Sequence, residues 1–165
     1  MTSAERPTRQ LADDHERVLE KLDSLHNMVT QSDLKAEAAV QLNELARFFA
    51  TELELHLKKE EEALFPEFGK YIPQEGGPVG VMLMEHEDLR RLNKAFQQGV
   101  ASWEQNSADA RRVINDGGNQ LISLLRQHID KEDNILFPMA EEFLSEAEQA
   151  HVGELFTQIE KNARG

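Results

Sequence analysis

One pattern of ionisable residues occurs twice in this chain. His56 is followed four residues later by Glu60, and His128 is followed four residues later by Glu132. On an α-helix, residues four apart lie one turn apart on the same face, so each pair presents an imidazole and a carboxylate in one direction. A buried carboxylate needs a cation or a hydrogen-bond donor to offset its charge. The repeat therefore predicts a site for metal ions.

The similarity between the two halves extends beyond these pairs. The segment that starts at His56 reads HLKKEEEALFP, and the segment that starts at His128 reads HIDKEDNILFP. A His-Glu dipeptide lies at nearly the same distance before each segment, beginning at His15 in the first half and at His86 in the second. Each half thus adds a second imidazole. The six candidate metal ligands are His15, His56, Glu60, His86, His128 and Glu132.

Apolar residues around these positions repeat at intervals of three and four, which is the period of a helix. Ser32 and Asp33 are suitable caps for the second helix, and a loop rich in proline and glycine over 71–78 separates the two halves. Asn106 and Ser107 interrupt the pattern again. The predicted helices cover about residues 9–30, 33 to between 66 and 70, 79–105, 108–140 and 145–162.

Four long helices with short connections predict an all-α fold, an up-down-up-down four-helix bundle with a short C-terminal helix. The bundle should span residues 10–140, followed by a C-terminal helical extension over 141–165. The inner face of the fourth helix should include Leu124 and Ile135. The Gly117-Gly118 pair either kinks that helix or delays its start.

Pro66 and Pro138 each lie ten residues after a candidate histidine. Proline removes a hydrogen bond from a helix interior and clashes with the carbonyl four residues before it, so each helix should kink or stop there. The matching positions of Phe65 and Phe137 predict two apolar plugs beyond the site.

Other polar residues could support the site. Glu52 falls on the predicted inner face, where the other half has Leu124, and could accept a hydrogen bond from an imidazole, carry a proton or act as an additional ligand. His26 and His151 are expected to be core or surface residues outside the site, and Tyr71 receives no role. Four residues repeat in both halves beside the inner face, where they either orient the ligands or form a solvated surface: Glu16, Glu87, Lys59 and Lys131.

The composition limits the possible functions. The chain has 18 basic and 31 acidic residues and a net charge of −13, which argues against binding to nucleic acid or anionic membranes. It has no cysteine, so any metal must be held by nitrogen and oxygen atoms. No segment is long and apolar enough for a signal peptide or a membrane span. We therefore expect a soluble, cytoplasmic protein.

The order of the six candidate ligands, with His-Glu at the first and third positions and Leu-Phe-Pro after the second and fourth, resembles the hemerythrin-like (HHE cation-binding) domain family. The resemblance spans about residues 10–140. It implies a non-haem di-iron centre with two iron ions bridged by carboxylates, although these ligands also suit manganese or zinc. The implied ligands are His15 and His56 on one iron, His86 and His128 on the other, and Glu60 and Glu132 as bridges.

The sequence departs from the oxygen-carrying hemerythrins in two ways. Their third helix supplies two histidines four residues apart, whereas Met82 and Arg90 occupy the positions four residues on either side of His86. Their fourth helix supplies an aspartate five residues after its histidine, whereas Glu132 follows His128 by four. The pattern is closer to bacterial hemerythrin-like proteins implicated in iron, oxygen, nitric oxide or peroxide handling.

Three functional hypotheses follow. The first is a di-iron protein that binds or consumes oxygen, peroxide or nitric oxide at a carboxylate-bridged centre, in a role in oxidative or nitrosative stress. The second is an iron or oxygen sensor, or an iron donor or storage module, without turnover. A metal-free helical interaction protein is a third reading, which a metal analysis would exclude. The sequence does not decide whether the chain is an enzyme, nor does it identify a redox partner.

Overall fold

The structure, a computed structural model, describes residue 2 and the ranges 5–29, 38–103 and 108–165. The predicted cap at Ser32–Asp33 and the predicted break at Asn106–Ser107 lie outside these residues. Within them the fold is all-α, with five helices and no strand. Helix α1 is Pro7–Val29, α2 runs from Ala38 to Phe68, α3 is Pro78–Ala101, α4 runs from Ala108 to Phe143, and α5 is Glu146–Arg164.

Helices α2 and α4 contain π turns, in which the hydrogen bond spans five residues instead of four. Such turns are rare and often lie at functional sites. Two of them begin at a candidate carboxylate ligand, Glu60 in α2 and Glu132 in α4. Along the chain, α2 consists of Ala38–Phe48, the π turn Phe49–Leu53, Glu54–Lys59, the π turn Glu60–Leu64 and Phe65–Phe68, and α4 consists of Ala108–Lys131, the π turn Glu132–Leu136 and Phe137–Phe143.

Neither helix stops at its proline. Helix α2 continues beyond Pro66 to Phe68, and α4 continues beyond Pro138 to Phe143. A π turn ends two residues before each proline, at Leu64 and at Leu136, so the regular α-helical hydrogen bonds that a proline disrupts are already changed there. The disturbance expected at the two prolines therefore takes the form of a π turn on their N-terminal side.

The π turns also change which residues face the interior. Each one adds a residue to its turn, so the buried position moves forward by one. Leu53 is buried in place of Glu52, and Leu136 is buried while Ile135 is 54% exposed. The predictions that Glu52 and Ile135 point inward are therefore wrong. Leu124, also expected inside, is only partly buried and packs against the edge of the core.

Close packing of α4 against α1 explains one of the two adjacent glycines. A Cβ atom on Gly118 would lie 3.1 Å from Cγ1 of Val29, which is tighter than ordinary van der Waals contact. Helix α4 begins at Ala108, so the Gly117-Gly118 pair does not delay its start. Gly118 instead allows the two helices to approach each other closely.

Among the described residues, the buried apolar side chains form two clusters, one toward each end of the helices. In α1, Leu11 belongs to the smaller cluster and Val18 to the larger one, and His15 lies between them. The candidate ligands therefore occupy a polar layer between two apolar layers. The larger cluster includes Leu22, Leu25, Phe49, Leu89, Phe96 and Leu121, and the smaller one includes Phe65, Phe68, Val79, Phe137, Val152 and Phe156.

The C-terminal helix α5 packs against α1 and α2. Ser145 caps it, since its hydroxyl accepts a hydrogen bond from the backbone N–H of Glu148 while the Glu148 carboxylate accepts one from the backbone N–H of Ser145. Its buried face consists of Gln149, Val152 and Phe156. Of the helices in the described ranges, none is long and apolar enough to cross a membrane.

Candidate metal centre

The structure brings all six candidate ligands together in the polar layer. Each is at most 3% exposed. Helices α1 and α3 contribute one histidine each, and α2 and α4 each contribute a histidine and the glutamate one turn later. The six side chains are His15, His56, Glu60, His86, His128 and Glu132.

Each buried carboxylate lies between an imidazole of the first half and an imidazole of the second. Oε1 of Glu132 is 3.2 Å from Nε2 of His15 and 3.2 Å from Nε2 of His128. Oε1 of Glu60 is 3.2 Å from Nε2 of His86 and 3.5 Å from Nε2 of His56. This arrangement allows either carboxylate to join two ions.

Six inward-facing atoms of this cluster lack hydrogen-bond partners, whereas Nε2 of His15 and Nε2 of His56 lie 3.1 Å from each other. Both carboxylate oxygens of Glu60 and of Glu132, and Nε2 of His86 and of His128, are buried without a hydrogen bond. Burying such atoms unsatisfied is costly, and a cation would satisfy all of them at once. The residues therefore fit a metal centre of nitrogen and oxygen ligands.

Two overlapping groups of side chains could each surround an ion. Glu60, His86, His128 and Glu132 form one group, in which the ligand atoms lie within 4.8 Å of one another. The other group combines Glu132 with the two histidines of the first half. Glu132 is common to both groups, so its carboxylate is the better placed of the two to bridge.

Each imidazole also contacts a second carboxylate, on the side of the ring that faces away from the centre. The Nδ1 atoms, on the far side of the rings from the centre, contact carboxylate oxygens on neighbouring helices. A hydrogen bond from Nδ1–H fixes the tautomer and turns the Nε2 lone pair toward a metal. The pairs are His15 with Asp133 at 2.7 Å, His56 with Asp14 at 3.1 Å, His86 with Glu61 at 2.6 Å and His128 with Glu85 at 2.9 Å.

These four outer carboxylates were missed in the sequence, although the repeat contains a signal for them. An acidic residue precedes the first and third histidines, as Asp14 and Glu85, and another follows each glutamate ligand, as Glu61 and Asp133. Their role depends on contacts between helices, which spacing along one helix does not reveal.

The four repeated residues proposed as supports divide into two kinds. Glu16 and Glu87 are exposed, as expected for a solvated face. Lys59 and Lys131 instead contact outer carboxylates: Nζ of Lys59 lies 3.8 Å from Oδ2 of Asp14, and Lys131 forms an ion pair with Glu85. The lysines thus support the carboxylates that orient the imidazoles.

Two phenylalanines cover the ends of the cluster. The ring of Phe137 stacks on His15 with centroids 5.4 Å apart, and the ring of Phe65 stacks on His86 with centroids 5.8 Å apart. Both phenylalanines are buried, which matches the plugs predicted from their repeated positions. They exclude water from one side of the imidazoles.

The remaining polar candidates lie elsewhere. Glu52 accepts a hydrogen bond from Nη2 of Arg164 at 3.1 Å, and it belongs to neither metal-compatible group. Tyr71 donates its hydroxyl hydrogen to Glu148. His26 is partly buried and His151 is exposed, and neither belongs to a metal-compatible group among the described residues.

Without a cation, the acidic and basic groups of the site perturb one another. Burial opposes the charged imidazole, but Asp133 and Glu132 outweigh it and raise the pKa of His15 to about 9. Burial likewise opposes the charge on His128, yet the Glu132 carboxylate raises its pKa to about 9. Burial and the nearby Glu132 raise the pKa of Glu60 above its ordinary range. The metal-free site therefore holds protons that a metal ion would displace.

A small cavity adjoins three of the imidazoles. Its volume is about 10 Å³, enough for one water-sized molecule. Its polar boundary is formed by His15, His56 and His128, and the rest of its wall is aliphatic. The aliphatic residues are Val18, Leu53, Leu57, Leu125 and Ile129.

Comparison with known proteins gives a consistent result. The profile of the hemerythrin HHE cation binding domain matches residues 6–140. An iron-sulfur cluster repair protein YtfE from Pectobacterium carotovorum is 35% identical over 102 residues, which cover 59% of this chain and 45% of that protein. The protein of the same name from Enterobacter sp. is 30% identical over 133 residues, which cover 76% of this chain and 60% of that protein.

The chain thus spans roughly half the length of these relatives, between 45% and 60%. The family profile covers more of this chain than either relative does, and the matched residues include every candidate ligand and all four outer carboxylates. On the strength of that match, which covers most of its length, this chain belongs to the hemerythrin HHE cation-binding domain family.

Proposed function

We propose that this protein holds two iron ions between its helices and uses them to bind or consume a small oxidant, namely oxygen, peroxide or nitric oxide. The helices around the site would form an up-down-up-down four-helix bundle. The relatives are named for the repair of iron-sulfur clusters, which favours iron here, while imidazole and carboxylate ligands also suit manganese and zinc. The observation that carries the proposal is a set of buried ligand atoms without hydrogen bonds next to a small apolar cavity.

The distances support an assignment of the six ligands to two ions. His15 and His56 would serve one ion, and His86 and His128 the other. Glu132, which lies 3.2 Å from an imidazole of each pair, would bridge the two ions, with Glu60 as the second bridge. Two carboxylates would offset half of the charge of two divalent ions in the buried interior.

When bound, the iron pair supplies electrons and open coordination positions. The protein determines what reaches them. Leu53, Leu57 and Ile129 form an aliphatic wall that favours a small, weakly polar molecule over an anion or a sugar. Phe65 and Phe137 exclude water, and the outer carboxylates hold the imidazoles in one orientation.

The test combines metal analysis with oxidant consumption. Reduced protein loaded with iron under anaerobic conditions should bind two equivalents and then change its optical spectrum when oxygen, peroxide or nitric oxide is added. Leu57→Gln, which places a polar group in the cavity wall, should slow the reaction without changing the iron content. A protein that holds two irons and reacts with none of the three would end this proposal.

The names of the relatives favour a second candidate function. They are iron-sulfur cluster repair proteins, and a protein that stores two buried iron ions could donate them during such a repair. This chain contains no cysteine, so a cluster under repair would be held by the recipient. Transfer of iron to a cluster-free ferredoxin, measured against free ferrous iron with a competing chelator, would test the donor role.

A further inference from the structure

Lys59 and Lys131 occupy equivalent positions in the two halves but have different surroundings. The Lys131 side chain is 39% exposed, whereas the Lys59 side chain is 5% exposed. Helix α5 accounts for the difference, because it packs against the segment of α2 that carries Lys59. Its Glu160 forms an ion pair with Lys59, and its Phe156 ring centroid lies 5.8 Å from Nζ of Lys59.

A continuous series of contacts links a candidate ligand to α5. Nδ1 of His56 donates a hydrogen bond to Asp14, Asp14 lies 3.8 Å from Nζ of Lys59, and Lys59 pairs with Glu160. The corresponding series in the other half runs from His128 through Glu85 to Lys131, with no contact to α5 among those that the structure describes. Through this series of contacts, the C-terminal helix is connected to His56 but not to His128.

The same helix lies over an opening next to His56. The opening has a volume of about 20 Å³, which admits one water molecule. Glu52 of α2 and Arg164 of α5 are on its rim, and they form an ion pair with 3.1 Å between Nη2 and Oε2. This pair and the Lys59–Glu160 pair tie α5 to α2 across the opening.

We propose that α5 is a latch that controls exchange of the metal ion held by His15 and His56. This inference rests on the metal centre proposed above. While both ion pairs are in place, the opening is too small for a chelating molecule or an iron-accepting protein group to reach the ion. When the pairs break, the end of α5 that carries Glu160 and Arg164 can move away, since the last turns of a terminal helix open most easily.

The buried part of α5 explains why such motion would be local. Val152 and Phe156, near the middle of the helix, are 0% and 1% exposed. They anchor the helix in the smaller apolar cluster. Glu160 and Arg164 follow these anchors by one and two turns and are substantially exposed, so their substitution should leave the fold intact.

The experiment uses protein loaded with two equivalents of ferrous iron and follows its loss to an excess of a coloured chelator. The test variant carries Glu160→Gln, which keeps the side-chain volume, and Arg164→Gln, which shortens an exposed side chain; together they remove both ion pairs. One of the two iron equivalents should leave about two to thirty times faster than in the wild type, the range expected from two ion pairs. The other equivalent should leave at its original rate.

A control variant, Arg126→Gln, removes an ion pair between α4 and α1 that does not touch the opening, with 2.9 Å between Nη2 of Arg126 and Oδ1 of Asp23. Its iron should leave at the wild-type rates. Added salt should speed the release of one equivalent from the wild type and have little further effect on the double variant, because salt screens partly exposed ion pairs.

Three results would overturn the latch. Unchanged release from the double variant would show that the ion leaves by another route, such as the side of Asp133. Equal acceleration of both equivalents, or a similar acceleration in the Arg126→Gln control, would indicate general destabilisation. A wild-type protein that takes up no iron would instead refute the proposed metal centre and the latch with it.

Discussion

The position of Glu132 leads to a quantitative prediction about metal stoichiometry. Its Oε1 atom is 3.2 Å from one imidazole of each candidate pair, His15 and His128. Removing its charge should therefore weaken the binding of both ions, whereas removing one histidine should weaken the binding of one ion. The informative variants are Glu132→Gln and His128→Gln, which introduce the same side chain of similar volume at two ligand positions.

The expected magnitude follows from the charge that is lost. Two unit charges 4 Å apart attract each other by about 4 kcal/mol at an effective dielectric constant near 20, and a divalent ion doubles this value. Burying the carboxylate costs several kcal/mol, which offsets part of this attraction. A net loss of about 3 kcal/mol for each ion corresponds to a roughly hundredfold weaker affinity. At a free metal concentration ten times the wild-type Kd, occupancy should fall from about nine-tenths to about one-tenth at both positions.

The assay is equilibrium dialysis at that concentration, followed by metal analysis, with circular dichroism to show that each variant is folded. His128→Gln should retain about one equivalent and Glu132→Gln close to none. Glu60→Gln should be intermediate, because Glu60 belongs to only one of the two metal-compatible groups. If Glu132→Gln also retained one full equivalent, the carboxylate would serve one ion only, and the reasoning from its two short distances would be refuted.

Three further predictions concern stability, pH and the supporting residues. Protein treated with a chelator should melt at a lower temperature than metal-loaded protein, because an ion bound only by the native state stabilises it; equal melting temperatures would contradict this. In metal-free protein the pKa values of His15 and His128 rise from 6.5 to about 9, so their contribution to stability is complete below pH 6.5 and is lost as the pH rises to 9. Because both imidazoles share the Glu132 carboxylate, their joint contribution is on the order of 3 kcal/mol. Urea unfolding at pH 6.5 and 9 should show the loss in metal-free protein only, where no ion occupies the imidazoles. Asp133→Ala, which removes the hydrogen-bond partner of His15, should weaken metal binding about 10- to 100-fold in titrations with a competing chelator, whereas Glu52→Leu, at a residue that faces Arg164, should leave the affinity unchanged.

The sequence by itself determined the class of fold and the set of candidate ligands. A repeated histidine and glutamate four residues apart place two ligands on one helical face whatever the rest of the chain does, because the helical period alone sets that geometry. The apolar period around them identified five helices. The repeated Leu-Phe-Pro segments also located Phe65 and Phe137, which stack on His86 and His15.

Only the tertiary structure decided which residues surround the ligands. The π turns moved Glu52 and Ile135 out of the interior, and an α-helical period cannot anticipate an added residue in a turn. The outer carboxylates, such as Asp133 behind His15, act from a different helix, and so they depend on how the helices pack. The different burial of Lys59 and Lys131 depends on α5, which lies outside the repeat. Periodicity describes one helix at a time, whereas the outer carboxylates and lysines of this site are placed by contacts between helices.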